Sequence, residues 1–173
     1  AAIERIAPTL RALRHAAGGL ARFHGGGRGA EGRLDQALAQ AGGKALTAPG
    51  LAMGFARLAA GRTTVITDVA APPSGAASHD GHASTLAFEL TSGRRPLIVN
   101  CGSGAGFGPD WRRAGRATPS HSTLMLAGLS SSRLAPKGRR RAGPELLAEV
   151  PGLVWAQQET DVEGLRLLAG HNG

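Results

Sequence analysis

The chain has 173 residues, 42% hydrophobic and 18% charged, with a net charge of +8. That suffices for one domain with its own core, and it argues against two large domains and against wholesale disorder. Gly (27) and Pro (10) together make about a fifth of the chain, which favours many turns and short elements over a bundle of long helices. Aromatics are 3% and Tyr is absent, which disfavours a nucleic-acid platform built on stacking rings. No apolar run approaches the roughly 20 residues of a membrane-spanning helix, and the single Cys101 excludes an internal disulfide. The chain does not begin with Met and is expected to be a segment of a longer protein.

The positive charge has two readings. Lys44 and Lys137 are the only lysines among 20 basic residues. An Arg excess beside abundant Ala and Gly follows from a GC-rich genome. It also suits an anionic partner, because guanidinium groups make bidentate contacts with carboxylate and sulfate.

Along the chain, Ile3, Ile6, Leu10, Leu13, Ala17 and Leu20 recur at three- and four-residue steps, which predicts a helix over 1–22. Pro8 marks a kink or the true start, and Gly18-Gly19 a stop. A lone amphipathic helix needs a partner surface, so 1–22 reads as the last helix of a preceding helical domain and 23–173 as the next domain. Gly25 to Gly27 form a loop, and 31–42 a short helix or turn. Strands are expected at 53–58, 63–69, 85–90 and 96–99, the last two forming a hairpin about Ser92-Gly93. Residues 102–120 read as a long Gly- and Arg-rich loop. A strand at 122–126, a basic loop at 135–144 with Arg139 to Arg141, and strands at 146–150, 154–158 and 165–168 complete the pattern. Short strands between frequent turns point to a mainly β fold, an antiparallel β-sandwich with a leading N-terminal helix.

The chemistry-bearing residues gather near predicted strand ends. His79 and His82 precede one strand, Asn100 ends the next, and His121 opens another. Two imidazoles with a carboxylate or amide at converging strand ends can bind Zn²⁺; they can equally form a hydrogen-bonded network without metal. Arg112, Arg113 and Arg116 line an anion-binding groove or a solvated loop, and Trp111 stacks on a sugar or anchors the loop. The run Gly102 to Gly106 lacks the Gly-Lys-Ser/Thr ending of a phosphate loop. Phe23-His24-Gly25-Gly26-Gly27 has the look of an oxyanion loop, but no Gly-x-Ser-x-Gly nucleophile accompanies it.

Several of these stretches resemble one family. They are His82-Ala83-Ser84 through Phe88-Glu89-Leu90, Gly93 through Pro96-Leu97 to Asn100-Cys101-Gly102, Trp111-Arg112-Arg113, and Arg116-Ala117-Thr118-Pro119-Ser120-His121-Ser122-Thr123. Their order and spacing are similar to those of the carboxy-terminal domain of heparinase II/III-like polysaccharide lyases. The resemblance runs through about residues 82–126 and is weaker around 50–70 and 150–173. It implies an (α/α) toroid, of which 1–22 would be the end, followed by an antiparallel sandwich. It further implies β-elimination at a uronic acid of an acidic polysaccharide, and a periplasmic or cell-envelope location. The family's catalytic Tyr has no counterpart in this Tyr-free chain, so the segment alone is not expected to cut.

The resemblance implies a sandwich zinc at His82, Asn100 and His121, with Asn100 where the family has Asp. Ser84 stands where the family often has Asp. Asp80 occupies the position of a His that assists catalysis, which leaves His79, one step away, as the candidate for that role. Arg112, Arg113, Arg116 and Trp111 are the expected substrate contacts. The alternative is a non-catalytic carbohydrate-binding or scaffolding sandwich. A nucleic-acid partner is the weakest reading.

Overall fold

The computed structural model describes residues 2–27, 29–41, 50–136 and 145–173. Its centre is a five-stranded antiparallel sheet in the order β1-β2-β3-β4-β5, with β1 at Gly50–Ala52, β2 at Phe55–Ala60, β3 at Thr63–Asp68, β4 at Phe88–Ser92 and β5 at Arg95–Ile98. The β-branched run Thr63-Thr64-Val65-Ile66-Thr67 explains β3. Gly61 and Gly93 both take positive φ (55° and 57°), so the tight reversals on either side of β3 and β4 fall where a Cβ would be strained. β6 (Arg133–Leu134) pairs with β7 (Leu147–Glu149), and β8 (Val154–Thr160) with β9 (Leu165–His171). The β8–β9 turn is closed by Asp161, whose Oδ1 accepts the amides of Glu163 and Gly164. β9 lies against β2. This is the mainly β, antiparallel sandwich architecture expected, with a leading helix. No helix among the described residues is long and apolar enough to cross a membrane.

The leading helix, α1, spans Ala2–Ala12 and stops ten residues short of the expectation. Past it the chain doubles back: the His15 amide bonds the Gly19 carbonyl at 2.9 Å and the Ala21 amide the Leu13 carbonyl at 2.9 Å. The cause is tertiary. Buried Arg57 donates Nη1 to the carbonyls of Ala12 (2.9 Å) and Arg14 (3.0 Å), acceptors that a continuing helix would have used itself. The returning segment then packs Ala21 and Phe23 against Ile66 and Ala87, with Leu13 and Phe55 at the margin. Phe23 and Phe55 stack with ring centroids 5.7 Å apart.

Two further expectations change. Residues 102–120 are not one loop: α3 occupies Pro109–Gly115, and short 3-10 turns occupy Ala105–Phe107 and Thr118–Ser120. Pro109 at the first helical position with Asp110 in the first turn is a helix start, obscured in the sequence by the surrounding glycines. Residues 122–126 form no strand. Ser122 and Thr123 are tied singly to Asn100, Phe88 and Thr85, so no ladder develops. The segment 31–42 contains α2, Arg33–Gln40. Of the basic loop, residues 137–144, including Arg139 to Arg141, lie outside the described residues.

The register decides what the interior holds. Arg57 pairs with Ile66, and Ile66 with Glu89, so these three side chains form one cross-strand row on a single face. All three are buried. Together with Asp68, His82, Ser84, Asn100, Arg116 and Thr118, each at most 2% exposed, they make an interior that is largely a polar network. Such an interior is stable only if its members are mutually satisfied.

Candidate functional site

The site is assembled at the ends of β3, β4 and β5. β3 ends on Asp68, whose Oδ2 accepts from Ser84 Oγ at 2.7 Å and lies 3.2 Å from His24 Nε2. His24 sits at φ 49°, ψ 44°, a left-handed conformation unusual for a non-glycine residue. Its ring is held there from both sides: Nδ1 accepts the His82 backbone amide at 3.1 Å while Nε2 faces Asp68. The accepted amide requires a bare Nδ1, so the proton of neutral His24 is on Nε2.

A second chain starts at Glu89 on β4. Its carboxylate is buried and accepts the backbone amides of Arg22 and Asn100, each at 3.0 Å, while His15 Nε2 lies 2.7 Å away. Burial alone would raise its pKa; the hydrogen bonds from His15 and from the Asn100 and Arg22 amides outweigh that and hold it below the usual carboxylate range. Asn100 Nδ2 donates to Glu89 Oε1 at 3.4 Å, and Asn100 Oδ1 accepts the Ser122 amide at 2.9 Å. His121 Nδ1 stands 3.3 Å from the same Oδ1, and His121 Nε2 stands 3.2 Å from His82 Nδ1. The two imidazoles are buried edge to face, 5.2 Å between centroids. Burial first, and then the neighbouring His121 and His24, depress the His82 pKa to about 3. Burial likewise takes His121 to about 4. Both rings are therefore neutral at pH 7.

Beyond His82 opens a cleft of about 380 Å³ lined by Phe23, His24, Gly25, Gly26, Asp80, His82, Ser103, Ala105 and Arg112. Gly25 has φ 76°, and a Cβ placed on it would lie 3.0 Å from His82 Nε2. Only glycine there keeps the imidazole open to the cleft. Arg112 engages one nitrogen, Nη2, with the His79 carbonyl and Asp80 Oδ1, both at 2.9 Å. The hydrogen bond from His79 holds the Asp80 pKa below the usual range; desolvation opposes it, and Arg112 adds to the lowering.

The expected site residues divide accordingly. His82, Asn100 and His121, 18 and 21 residues apart in sequence, come together. Arg112 reaches the same cleft. His79 is half exposed, its Nδ1 3.1 Å from Asp80 Oδ1, and its ring is not among the groups lining the cleft. Trp111 is exposed and packs edgewise on exposed Phe107, 6.3 Å between centroids. Arg113 is ion-paired with Glu145. Arg116 requires a correction. It is buried, and its three nitrogens donate to the carbonyls of Gly81 (2.8 Å), Ser78 (2.8 Å) and Glu145. It braces the loop that carries Asp80 and His82 and presents nothing to a substrate.

Sequence reasoning overlooked His24, Asp68 and Glu89. His24 was hidden in a glycine-rich loop that lacked a nucleophile partner. Glu89 had a usable signal, an acidic residue between Phe88 and Leu90 in a strand.

For the expected zinc, three ligands would have to converge on one point. Here two imidazole nitrogens face each other, but the Asn100 oxygen lies on the opposite nitrogen of His121. Among the described residues no carboxylate completes the set, because Asp68 is engaged by Ser84 and His24, and Glu89 by His15 and two amides. Among the described residues no group of three or more His, Cys, Asp or Glu side chains is placed to hold a metal ion. The donor set does not fit a zinc centre of the family type.

Fold and cleft thus define an antiparallel sandwich domain with a neutral histidine pair behind a small polar cleft. The heparinase II/III-like C-terminal family model matches residues 43–173, and the chain belongs to that family. It is 32% identical over 176 residues to FtsZ-localized protein C of Caulobacter vibrioides (strain NA1000 / CB15N), an alignment covering 99% of this chain and 30% of that protein. The chain therefore spans under a third of the length of this relative. No solved structure matches it.

Proposed function

We propose that the chain is the carboxy-terminal sandwich of a longer heparinase II/III-like protein that engages an acidic, uronate-containing polysaccharide at the His82–Arg112 cleft. In this reading the helical part of residues 1–22, α1 at Ala2–Ala12, closes a preceding toroid, and the whole protein works at the cell envelope. The observation that carries it is the juxtaposition of Arg112, which has Nε and Nη1 left over from its Asp80 contact, with the open His82 Nε2. A cation for a carboxylate and an acceptor for a hydroxyl are the two groups a uronate requires. The exposed Phe107–Trp111 pair on the same segment supplies an apolar face for a sugar ring.

Cleavage would proceed by β-elimination. A base removes the C5 proton, a cation neutralises the adjacent carboxylate, and the C4–O bond breaks to leave a C4–C5 double bond while the departing oxygen takes up a proton from a general acid or water. Arg112 suits the neutralising role. With no Tyr present and His82 depressed to about 3, the cleft itself lacks a base of useful strength, so the base would come from the rest of the protein or from His79, which stands outside the cleft lining beside Asp80. The second reading, a non-catalytic carbohydrate-binding scaffold, is favoured by the absence of Tyr from this chain and by the neutral, weakly basic His82 in the cleft. The full-length protein incubated with uronate polymers separates them. Growth of near-ultraviolet absorbance from unsaturated product means a lyase; retention on immobilised polymer without absorbance means a binding module. Arg112→Ala should weaken either by about tenfold, the loss of one charge-assisted contact. If the wild-type protein gives no product and is not retained on the polymer, the polysaccharide reading is rejected.

A further inference from the structure

Asn100 determines more than the loss of a carboxylate. Its amide can be oriented in one way only. The Ser122 amide, 2.9 Å away, must meet an acceptor, and the Glu89 carboxylate, 3.4 Å from the other end, must meet a donor. Oδ1 therefore faces Ser122 and His121, and Nδ2 faces Glu89. A fixed acceptor at Oδ1 demands a proton on His121 Nδ1, 3.3 Å distant. A neutral imidazole has one N–H, on which both Asn100 Oδ1 and the Gly115 carbonyl draw; with that proton on Nδ1, His121 Nε2 is bare and can only accept. The group 3.2 Å from it is His82 Nδ1, which must then carry its ring's proton. His82 Nε2 is left as a lone pair, and that atom borders the cleft behind Gly25. No hydrogen bond from a described residue reaches it.

We propose that Glu89, Asn100, His121 and His82 form a metal-free tautomer relay that presents His82 Nε2 to the cleft as a fixed hydrogen-bond acceptor, so that the group recognised there is a hydrogen-bond donor such as a sugar hydroxyl. The relay deepens the polysaccharide reading and rests on it only for the nature of the donor. Glu89 also accounts for the amide. A carboxylate at position 100 would put two buried anions side by side, whereas the Asn100 side chain adds a further donor to Glu89 beside the two backbone amides and His15. Depression of both imidazole pKa values by burial agrees with a relay of neutral rings.

The test is a two-bond ¹H–¹⁵N correlation spectrum of the uniformly labelled 173-residue chain at pH 7.5, which distinguishes protonated from bare ring nitrogens. Expected are His121 and His82 as Nδ1–H tautomers and His24 as Nε2–H, with the His82 and His121 nitrogens unmoved by equimolar ZnCl₂. An Nε2–H tautomer at His82, or a shift of either ring by zinc, overturns the relay. Asn100→Ala should release the constraint and give mixed tautomers at His121 and His82; unchanged pure Nδ1–H signals in a folded variant also overturn it. If that variant does not fold, the wild-type spectra decide alone. Titration with methyl β-D-glucuronide then separates the two readings. A shift at His82 Nε2 supports both. No shift, with the tautomers as stated, leaves the relay standing and counts against the polysaccharide.

Discussion

Arg116→Met tests most directly what organises the cleft. The guanidinium is buried with its nitrogens on the carbonyls of Gly81, Ser78 and Glu145, and burial lowers its pKa below that of a free Arg. Met retains most of the stem volume and removes all three donors. A hydrogen bond from a charged donor contributes about 1.5–3 kcal/mol, and removing the charge regains part of its desolvation cost, so a net loss of about 4 kcal/mol is expected. That is a large share of a typical total of roughly 5–15 kcal/mol. At about 3 °C per kcal/mol for a chain of this size, it corresponds to a fall in Tm of roughly 12 °C. Thermal and urea unfolding followed by circular dichroism read it directly, and Arg116→Lys should recover only part, since an ammonium cannot span three divergent carbonyls. A variant within 1 kcal/mol of wild type that nonetheless loses polysaccharide binding would refute the bracing role and restore Arg116 as a ligand contact.

Protonation of the histidine pair should destabilise the fold in a defined window. His82 and His121 fall to about 3 and about 4 in the folded chain, against an ordinary value near 6.5. Their neutral forms therefore carry no penalty above about pH 6.5. Stability falls as the pH drops below that, until the folded-state values are reached, by up to about 2 kcal/mol per ring between pH 7 and pH 5. A urea midpoint that stays constant over that interval would contradict the buried neutral pair. Asn100→Asp should cost about 3 kcal/mol at pH 7 because Glu89 is 3.4 Å from the amide it replaces; wild-type stability in metal-free buffer would remove the electrostatic reason for the amide. Gly25→Ala should cost about 1–2 kcal/mol for its positive φ and should weaken ligand retention by covering His82 Nε2. Trp111→Ala, at an exposed position, should leave unfolding within about 0.5 kcal/mol of wild type while reducing retention on polymer, and equal retention would exclude a stacking role.

Much of the β scaffold could be read before any coordinates. The β-branched run of β3 and the hairpin turning at Gly93 depend on neighbours a few residues away, and the alternation Phe88-Glu89-Leu90 carries its own period. Local rules failed where distant groups intervened. α1 ends at Ala12 because Arg57, 45 residues away, claims the carbonyls that would have extended it. The strand expected at 122–126 is absent because Asn100 and Thr85 hold Ser122 and Thr123 one at a time.

For the site, the linear chain determined which chemistries were available: His82 and His121 with an amide, Asn100, between them in sequence, an arginine cluster, and no tyrosine. Tertiary structure alone decided their roles. Alternation places Glu89 on one face of β4, but only the cross-strand register with Ile66 shows that this face is the buried one. Spacing brings Arg112, Arg113 and Arg116 onto one segment, but packing sends the first to the cleft, the second to Glu145 and the third into the interior. A side chain's chemistry is written in its own atoms, whereas its protonation, tautomer and accessibility belong to neighbours that only the fold supplies.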